Sequence, residues 1–464
     1  MNTENQRDKL RWRRKPLPEL VRLAWPIMVS MLSYSVMTLV DTLFAGRLGA
    51  VALGAVGFGG VITFTLLCFG IGVLQGGKVL VAQAVGASRH DRIPGYIGAA
   101  LVIAVGFGGF TAIAGQLVAL GLPALADDSA AVHVAQRYVA IRLLGAPLVL
   151  VAFAVREIRC ALGDSRSPMR TALIANGFHI PLNATLIFGL HLGVTGAAIS
   201  TVIAQSLEAA LLLLVQRKDG LGLGAWMRRD VVDIWHTGTP LGLERLFNVG
   251  SFSALVTLIA RVGDRDLAAH QIANQVNLFA VLPMLAIAEA SGVLAGQAVG
   301  ANEDALVRRV ARLGLVAALI FGALCAVVYV FVGTLIAGEL TSDHDVQALA
   351  ARLLRIAAGF QPFVALYVVG ASTLRGAGDV RYATIAMVTI AWIITPPLAA
   401  LLCFHFHLGA AGGWIALICE WAAGGIVLYT RLERGRWMPH AERARARLAE
   451  ESADWDAARA PVSG

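Results

Sequence analysis

Long apolar blocks constrain this chain more than any other feature. They recur from about residue 16 to about residue 433, and each exceeds the roughly 18 residues that mark a candidate membrane span. Only 15% of the residues are charged, whereas a soluble domain carries about a quarter. The polar segments between the blocks are too short to form a soluble domain. The sequence therefore predicts an all-α integral membrane protein.

Twelve transmembrane helices are predicted, in two sets of six. The first set lies near 16–45, 50–77, 91–120, 131–161, 168–190 and 194–216, and the second near 231–260, 267–297, 306–336, 345–375, 381–405 and 409–433. The predicted organisation is a basic N-terminal segment at 1–15, a first lobe at 16–216, a linker at 217–230, a second lobe at 231–433 and a tail at 434–464. We expect the tail to be solvated or to lie on a surface.

Basic residues concentrate in alternate loops, and this pattern predicts the orientation. Several precede the first helix between residues 7 and 15, and others follow at Arg89, Arg166, Arg217 and Arg308. Lys and Arg near helix ends stay on the cytoplasmic side, so the formal net charge of +8 is a topology signal rather than a sign of nucleic-acid binding. We expect a multi-pass protein of the bacterial cytoplasmic (inner) membrane with both termini in the cytoplasm.

The two sets of helices also repeat in sequence at a nearly constant spacing. Pro26 and Pro240 lie 214 residues apart, and at the same spacing residues 83–87 and 297–301 share the identical sequence QAVGA. Two further pairs at spacings of 215 and 216 are Gly163-Asp164 with Gly378-Asp379, and Leu192-Gly193 with Leu408-Gly409. Six helices separate equivalent residues, so the second half keeps the orientation of the first. The repeat is therefore parallel, about an axis along the membrane normal.

A parallel repeat of this kind suits a secondary transporter. Substrate would bind near the midplane between two lobes that rock against each other and so alternate access between the two sides. Duplication retained for packing alone stays an alternative. A channel is a further alternative, although no selectivity-filter motif is visible.

Three segments carry a family resemblance: residues 40–49 (VDTLFAGRLG), 269–273 (AHQIA) and 375–379 (RGAGD). Together with Leu182-Asn183 and residues 196–198 they resemble the multidrug and toxic compound extrusion (MATE) family, over residues 16 to 433. The resemblance implies two six-helix lobes in a V-shaped transporter. It also implies efflux of small organic cations or amphipathic compounds, driven by inward flow of protons or sodium ions.

Asp41 is the main candidate for coupling. Placing a carboxylate within a membrane helix costs about 2.5–3.5 kcal/mol on insertion scales, so such acids usually face a cavity and serve function. Asp41 can bind a proton there, or it can simply cap the outer end of the first helix or pair with Arg47. The resemblance places Asp41 in a cation or proton site, with Asn183 and Thr201 where family members supply neighbouring oxygen ligands.

One expected ligand of that site is missing. Many family members carry a second carboxylate four residues after the asparagine, whereas this chain has Ile187. A bare sodium ion needs several oxygen ligands, while a proton needs one acceptor. The sequence therefore favours protons over sodium as the coupling ion. Apart from that ion we expect no cofactor.

Other candidates are a hinge and a substrate site. Pro26 and Pro240 interrupt backbone hydrogen bonding in their helices, and each can serve as a hinge or as a static kink needed for packing. Glu244 lies one turn after Pro240 and can bind a cationic substrate or balance local charge. Family members often have an acid near the position of Asn248, and Gln271 belongs to a family segment, so both are further substrate-binding candidates.

Several other functions are disfavoured. The five cysteines lie in or beside apolar blocks without pairing spacing, and His405 with His407 lacks further ligands for a metal. Residues 72–78 have the spacing of a phosphate-binding loop, but Val79 replaces the required Ser or Thr. We expect no catalytic residue, no resident metal and no enzymatic activity.

Two alternatives for the transported molecule remain. A flippase for lipid-linked saccharides would line its cavity with Arg or Lys, whereas here the helix interiors carry acids such as Glu208 and Glu289, each also readable as a paired structural acid. This favours cationic cargo. The partners we expect are small organic cations and the lipid bilayer, with no nucleic acid, and a monomer suffices because one chain holds both lobes.

Overall fold

The structure is a computed structural model that describes residues 10, 12–125 and 129–459. The basic residues Arg7, Lys9 and Arg11 lie outside this part. The described chain is helical, without strands. Its α-helices are α1 Pro16–Arg47, α2 Ala50–Gly86, α3 Ile93–Leu125, α4 Ala130–Leu144, α5 Ala146–Ala161, α6 Arg166–Ala184, α7 Gly193–Arg217, α8 Arg228–Val262, α9 Asp264–Gly300, α10 Asp304–Leu340, α11 His344–Gly376, α12 Val380–Ala400, α13 Ala410–Glu433 and α14 Met438–Arg459.

Eleven helical segments in the described ranges are long and apolar enough to cross a membrane. The pair α4 and α5 supplies the twelfth if it is a single span, bent by 50° at its break. The prediction of one continuous helix over 131–161 is therefore wrong at Gly145. Pro147, two residues later, has no backbone N–H to continue the hydrogen-bond ladder, which favours a break at that point. The chain is a multi-pass membrane protein.

The helix α2 continues past Lys78, the charged residue at which the sequence predicted its end. The predicted end was residue 77, just before Lys78, whereas α2 continues to Gly86. Lys78 Nζ lies 2.5 Å from Glu157 Oε2 on α5, and both side chains are 12% exposed. Since the ammonium has a carboxylate partner, it does not mark a helix end.

The described helices pack into two compact units. Unit 1 comprises Met1–Met28, Ala82–His90 and Phe247–Gly464, and unit 2 comprises Val29–Val81 and Asp91–Leu246. In unit 1, α11 packs against α9, α10 and α13, and its Val364, Val369 and Leu374 are fully buried. In unit 2, α3 packs against α4 and α5, and α7 packs against α5 and α6. The lobe boundaries drawn from the sequence stay predictions.

The sequence repeat is also a repeat of unusual backbone geometry. A π-helical turn follows α6 at Thr185–Gly189 and α12 at Leu401–His405. Next come His191 and His407, whose φ angles are +53° and +52°. Gly163 and Gly378 likewise have φ angles of +88° and +91°, in a region that glycine enters without strain. Equivalent residues thus reproduce features that are rare in ordinary helices, which supports common ancestry of the halves.

The identical QAVGA segments meet within unit 1. A Cβ on Gly86 would lie 1.9 Å from the Gln297 carbonyl oxygen, and a Cβ on Gly300 would lie 2.0 Å from the Gln83 carbonyl oxygen. The glycine of each segment therefore lies in close contact with the backbone of the other segment. This reciprocal contact gives a physical reason for the identity of the two segments: a side chain at either glycine would push the helices apart.

Two acids follow the helix-ending glycines, and neither pairs with the arginine that lies two residues after it in the sequence. Asp164 accepts a hydrogen bond from Arg159 Nε at 3.0 Å rather than pairing with Arg166, which is exposed. Burial raises the pKa of Asp164, but hydrogen bonds from Ser167 and Arg159 outweigh it and hold the pKa below its usual value. Asp379 accepts from Arg431 Nε at 2.6 Å rather than from Arg381. In both cases the arginine lies in the last turn of a helix, Arg159 on α5 and Arg431 on α13.

The residues after 433 are not merely a solvated tail. Trp437 is fully buried, and on α14 Ala441 is buried in the core of unit 1. Arg445 forms an ion pair with Asp304, and Arg447 Nη2 donates to Gln83 Oε1 at 3.0 Å. Basic residues that appeared to be solvent-facing thus anchor α14 to the ends of α2 and α10.

Replacing Gly86 by alanine tests the reciprocal contact. We expect Gly86→Ala to lower the free energy of unfolding by about 1–3 kcal/mol, because the new methyl group overlaps a backbone carbonyl. Thermal unfolding of the purified protein in detergent measures the effect. Gly106→Ala is the matched control, since nothing lies within 4 Å of its Cβ position. Equal stability of the two variants would contradict the close approach.

Candidate functional site

The carboxyl of Asp41 lies near the end of α1, six residues before its last residue. Asn183 Nδ2 on α6 donates to Asp41 Oδ1 at 2.6 Å, and His179 Nε2 lies 3.5 Å from the same oxygen. The Asp41 side chain is 13% exposed, whereas Asn183 and His179 are fully buried. Asp41 therefore contacts side chains of α6. It does not pair with Arg47, which was one of the partners that the sequence left open.

One face of α6 presents both partners. His179 and Asn183 are four residues apart, so they lie one above the other on the same side of the helix. The hydroxyl of Ser200 on α7 donates to Asn183 Oδ1 at 2.9 Å. The amide of Asn183 is thereby fixed in orientation: its oxygen accepts from α7 and its nitrogen donates to α1.

Thr201, predicted as an oxygen ligand, meets the site through the histidine. Its Oγ1 lies 3.4 Å from His179 Nε2, and it also donates to the carbonyl of Ala197 at 2.8 Å. Ser200 Oγ lies 3.4 Å from the same imidazole nitrogen. His179 Nε2 therefore faces three oxygen atoms, while its Nδ1 is buried without a hydrogen-bond partner among the described residues.

The sequence analysis missed His179, although a signal for it existed. A histidine within an otherwise apolar membrane helix is rare and often functional, and this one lies a single turn before Asn183. The π-helical turn that follows is a second signal, because such turns are frequent at functional sites. Nothing in the residue pattern of the sequence predicted that turn, however.

Ile187, where family members carry a second carboxylate, is buried in the π-helical turn. No group of three or more His, Cys, Asp or Glu side chains that could hold a metal ion occurs in the described ranges. Arg142 of α4 acts electrostatically on Asp41, and its Nη1 donates to Gln205 Oε1 at 2.8 Å. The site thus combines one carboxylate with an amide, an imidazole and two hydroxyls.

The other predicted site residues are dispersed. Glu244 is a buried residue of α8 in unit 2, Asn248 is half-buried on α8 in unit 1, and Gln271 is exposed on α9 in unit 1. Pro26 is buried and Pro240 half-buried, and α1 and α8 run through them as single helices. Their roles in substrate binding and hinge motion stay predictions.

Glu208 has the partners of a structural acid. The hydroxyl of Tyr34 donates to Glu208 Oε1, and the guanidinium carbon of Arg156 lies 5.3 Å from the centre of the Tyr34 ring. Arg156 also acts electrostatically on Glu208. A buried acid with a half-buried arginine beside it balances charge inside unit 2, as the sequence analysis allowed.

These features define a class of protein before any comparison. The described residues form eleven or twelve candidate spans with a duplicated backbone, and they hold a carboxyl group among polar side chains within those spans. Together these features are those of a duplicated polytopic membrane transporter. The family model MatE matches residues 26–185 and 240–401, once in each half of the chain. The chain belongs to the MATE family.

Curated relatives agree with this assignment. The probable multidrug resistance protein NorM of Burkholderia pseudomallei is 31% identical over 436 residues, which cover 90% of this chain and 92% of that protein. NorM of Bradyrhizobium diazoefficiens is 30% identical over 86% of this chain and 89% of its own length. The probable multidrug resistance protein YoeA of Bacillus subtilis is 27% identical over 421 residues, which cover 87% of this chain and 90% of that protein.

Solved structures agree on the fold. An outward-facing multidrug resistance MATE family transporter of the MOP superfamily superposes with a TM-score of 0.86 at 20% identity, covering 92% of this chain and 97% of that one. A mutant of the Vibrio cholerae MATE transporter VcmN superposes with a TM-score of 0.85 at 21% identity, covering 91% of this chain and 97% of that one. The architecture is that of a MATE multidrug efflux transporter.

A double-mutant cycle tests the contact at the centre of the site. We expect Asp41→Ala and Asn183→Ala to be coupled by about 1.5–3 kcal/mol at alkaline pH, the range for a hydrogen bond to an ionised group. Unfolding free energies of the single and double variants give the coupling. Thr185→Ala is the control on the same stretch, because Thr185 is exposed and bonds only its own helix. Additive effects for Asp41 and Asn183 would show that the contact is absent.

Proposed function

We propose that this protein is a secondary active exporter that exchanges small cationic or amphipathic organic compounds for protons. The observation that carries the proposal is the pairing of one intramembrane carboxyl, Asp41, with the amide of Asn183 and the imidazole of His179. A carboxyl in such a position can bind and release one proton as its surroundings change.

The donor set favours a proton over a sodium ion. Asn183 turns its N–H toward Asp41 and commits its oxygen to Ser200. Sodium, a hard cation, is held by several oxygen ligands, whereas here Asp41 faces an amide nitrogen and an imidazole nitrogen. Ile187 adds no oxygen. A proton requires only the carboxylate, so the absence of further oxygens does not weaken its binding.

The same contacts suggest how protonation couples to movement. Ionised Asp41 accepts a charge-assisted hydrogen bond from Asn183, which ties α1 to α6. Protonation removes the charge and weakens that tie, and His179 Nε2, 3.5 Å from the same carboxyl oxygen, is close enough to exchange the proton. Released from α6, α1 can bend, with Pro26 as the position in that helix where backbone hydrogen bonding is already interrupted. Such a change would reshape the cavity and expel substrate.

The cargo that we propose is cationic because Glu244, the charged member of the three substrate-binding candidates, is an acid. Glu244 is 5% exposed and lies in the span α8. The relatives are described as multidrug resistance proteins, which fits recognition by shape and charge rather than by a single motif. A flippase for anionic lipid carriers would require basic rather than acidic residues in these positions.

Transport in inverted vesicles tests the function. With a fluorescent organic cation outside, we expect an imposed proton gradient alone to drive uptake, and Asp41→Asn to reduce it at least tenfold because the variant cannot release a proton. Glu19→Gln is the matched control, since Glu19 lies on the same helix and pairs with Arg22 outside the site. Uptake that follows only a sodium gradient would refute proton coupling, and no gradient-driven uptake of any cation would favour the flippase.

Orientation is a separate prediction. The alternation of basic loops predicts that the protein lies in a bacterial inner membrane with both termini on the cytoplasmic side. Fusion of green fluorescent protein to either end should therefore fluoresce, because it folds only in the cytoplasm, and fusion of alkaline phosphatase should be inactive. The reverse pattern at either terminus would contradict the assigned topology.

A further inference from the structure

A second carboxyl is buried within a span of unit 1, and the mechanism above does not use it. Glu420 is the eleventh residue of α13, which places it about 15 Å from the beginning of that helix and thirteen residues before its end. Its side chain is close to the middle of the span, and the residue is 7% exposed.

The carboxyl has one polar partner. Thr395 of α12 is fully buried, and its hydroxyl donates to Glu420 Oε2. No Lys, Arg or His among the described residues lies within ion-pair distance of Glu420. This separates it from Glu208, which lies beside Arg156, and from Glu433 at the end of the same helix, which lies 2.7 Å from Arg312.

Titratable groups on the neighbouring helices are engaged elsewhere. On α11, the ring of Tyr367 stacks on Trp421 with centroids 4.9 Å apart. On α9, His270 accepts from Trp414 Nε1 at 3.2 Å. In the π-helical turn after α12, the imidazole of His405 packs against Phe406. No titratable or charged side chain of these elements pairs with Glu420, so Thr395 is its only described polar contact.

An ionised carboxyl without a cation at mid-span is strongly disfavoured, while a protonated one is satisfied by a single hydroxyl. A hydroxyl can both donate and accept. Thr395 can therefore donate to Glu420 when the acid is ionised and accept from it when the acid is protonated. The hydrogen bond between the two side chains can therefore persist whether or not Glu420 carries a proton.

We propose that Glu420 and Thr395 form a second proton-binding site, which binds and releases a proton during each transport cycle. Its part in transport rests on the proton-coupled function proposed above. The site is not a copy of the first. At the repeat spacing the position equivalent to Glu420 is Ala204, and the position equivalent to Asp41 is Leu255, so each half holds an acid that the other lacks.

Infrared difference spectroscopy tests proton binding without any transport assay. Full-length protein with isotope-labelled glutamate is reconstituted in lipid vesicles and titrated with base. We expect the carbonyl band of a protonated, buried carboxyl, and we expect Glu420→Gln to remove it. Glu433→Gln, on the same helix, should leave it in place. A band that survives Glu420→Gln, or the lack of any such band in the wild type, overturns the proposal.

Thr395→Val provides a second test that keeps the acid. Without the hydroxyl the carbonyl band should move to higher wavenumber, because the protonated acid has lost the acceptor for its O–H, and should persist to higher pH, because the ionised acid has lost its donor. Thr395→Ser should restore the wild-type band. An unchanged band in Thr395→Val overturns the assignment even if Glu420→Gln does not fold.

Coupling is measured from the proton gradient that just stops net substrate movement in vesicles. If Glu420 carries one proton per cycle, the number of protons exchanged per substrate falls by one in Glu420→Gln, or proton-driven transport is lost while Glu433→Gln stays active. An unchanged ratio refutes its part in the cycle. A Glu420 carbonyl band without proton-driven transport in the wild type would instead refute the proposed function and leave the proton site standing.

Discussion

The absence of water from the bilayer interior governs this structure. A backbone group there must find its partner within the protein, and helices satisfy that demand along each span. The same condition applies to side chains: Lys78 lies against Glu157, and Glu208 lies against Tyr34 with Arg156 nearby. Charges inside the spans are therefore informative. A charged group with an opposite charge beside it neutralises that charge inside the fold. An acid without such a partner, such as Glu420, is a candidate to bind a proton.

Duplication shapes the scaffold but not its chemistry. The halves share π-helical turns, left-handed residues and the reciprocal glycines Gly86 and Gly300, all of which concern how backbones turn and approach. The titratable groups are not shared, since Asp41 and Glu420 have apolar equivalents in the opposite halves. Backbone geometry is under the constraint of close packing in both halves, whereas each half can acquire its own acid. A duplicated transporter can in this way bind protons at two unlike sites.

At the Asp41 site, neighbouring groups decide which ion is suited to it. Asn183 directs a nitrogen toward the carboxyl because Ser200 holds its oxygen, and His179 fills space beside the same carboxyl. The arrangement leaves one anionic acceptor with few free oxygens around it. In the proton coupling that we propose, Ile187 and His179 have the same effect, because neither supplies an oxygen ligand of the kind that a metal-like cation requires.

The sequence by itself determined the class of fold, the duplication and the family, and it singled out Asp41 as a candidate, because hydropathy, repeat spacing and short motifs are local properties of the chain. It also named Asn183, which the structure places against Asp41. Only the tertiary structure decided what could not be local: the break at Gly145, the partners of Asp164 and Asp379, the packing of α14, and the roles available to His179 and Glu420. A hydrogen bond between helices depends on which faces meet, and no pattern within one helix specifies the side chain that the next helix presents.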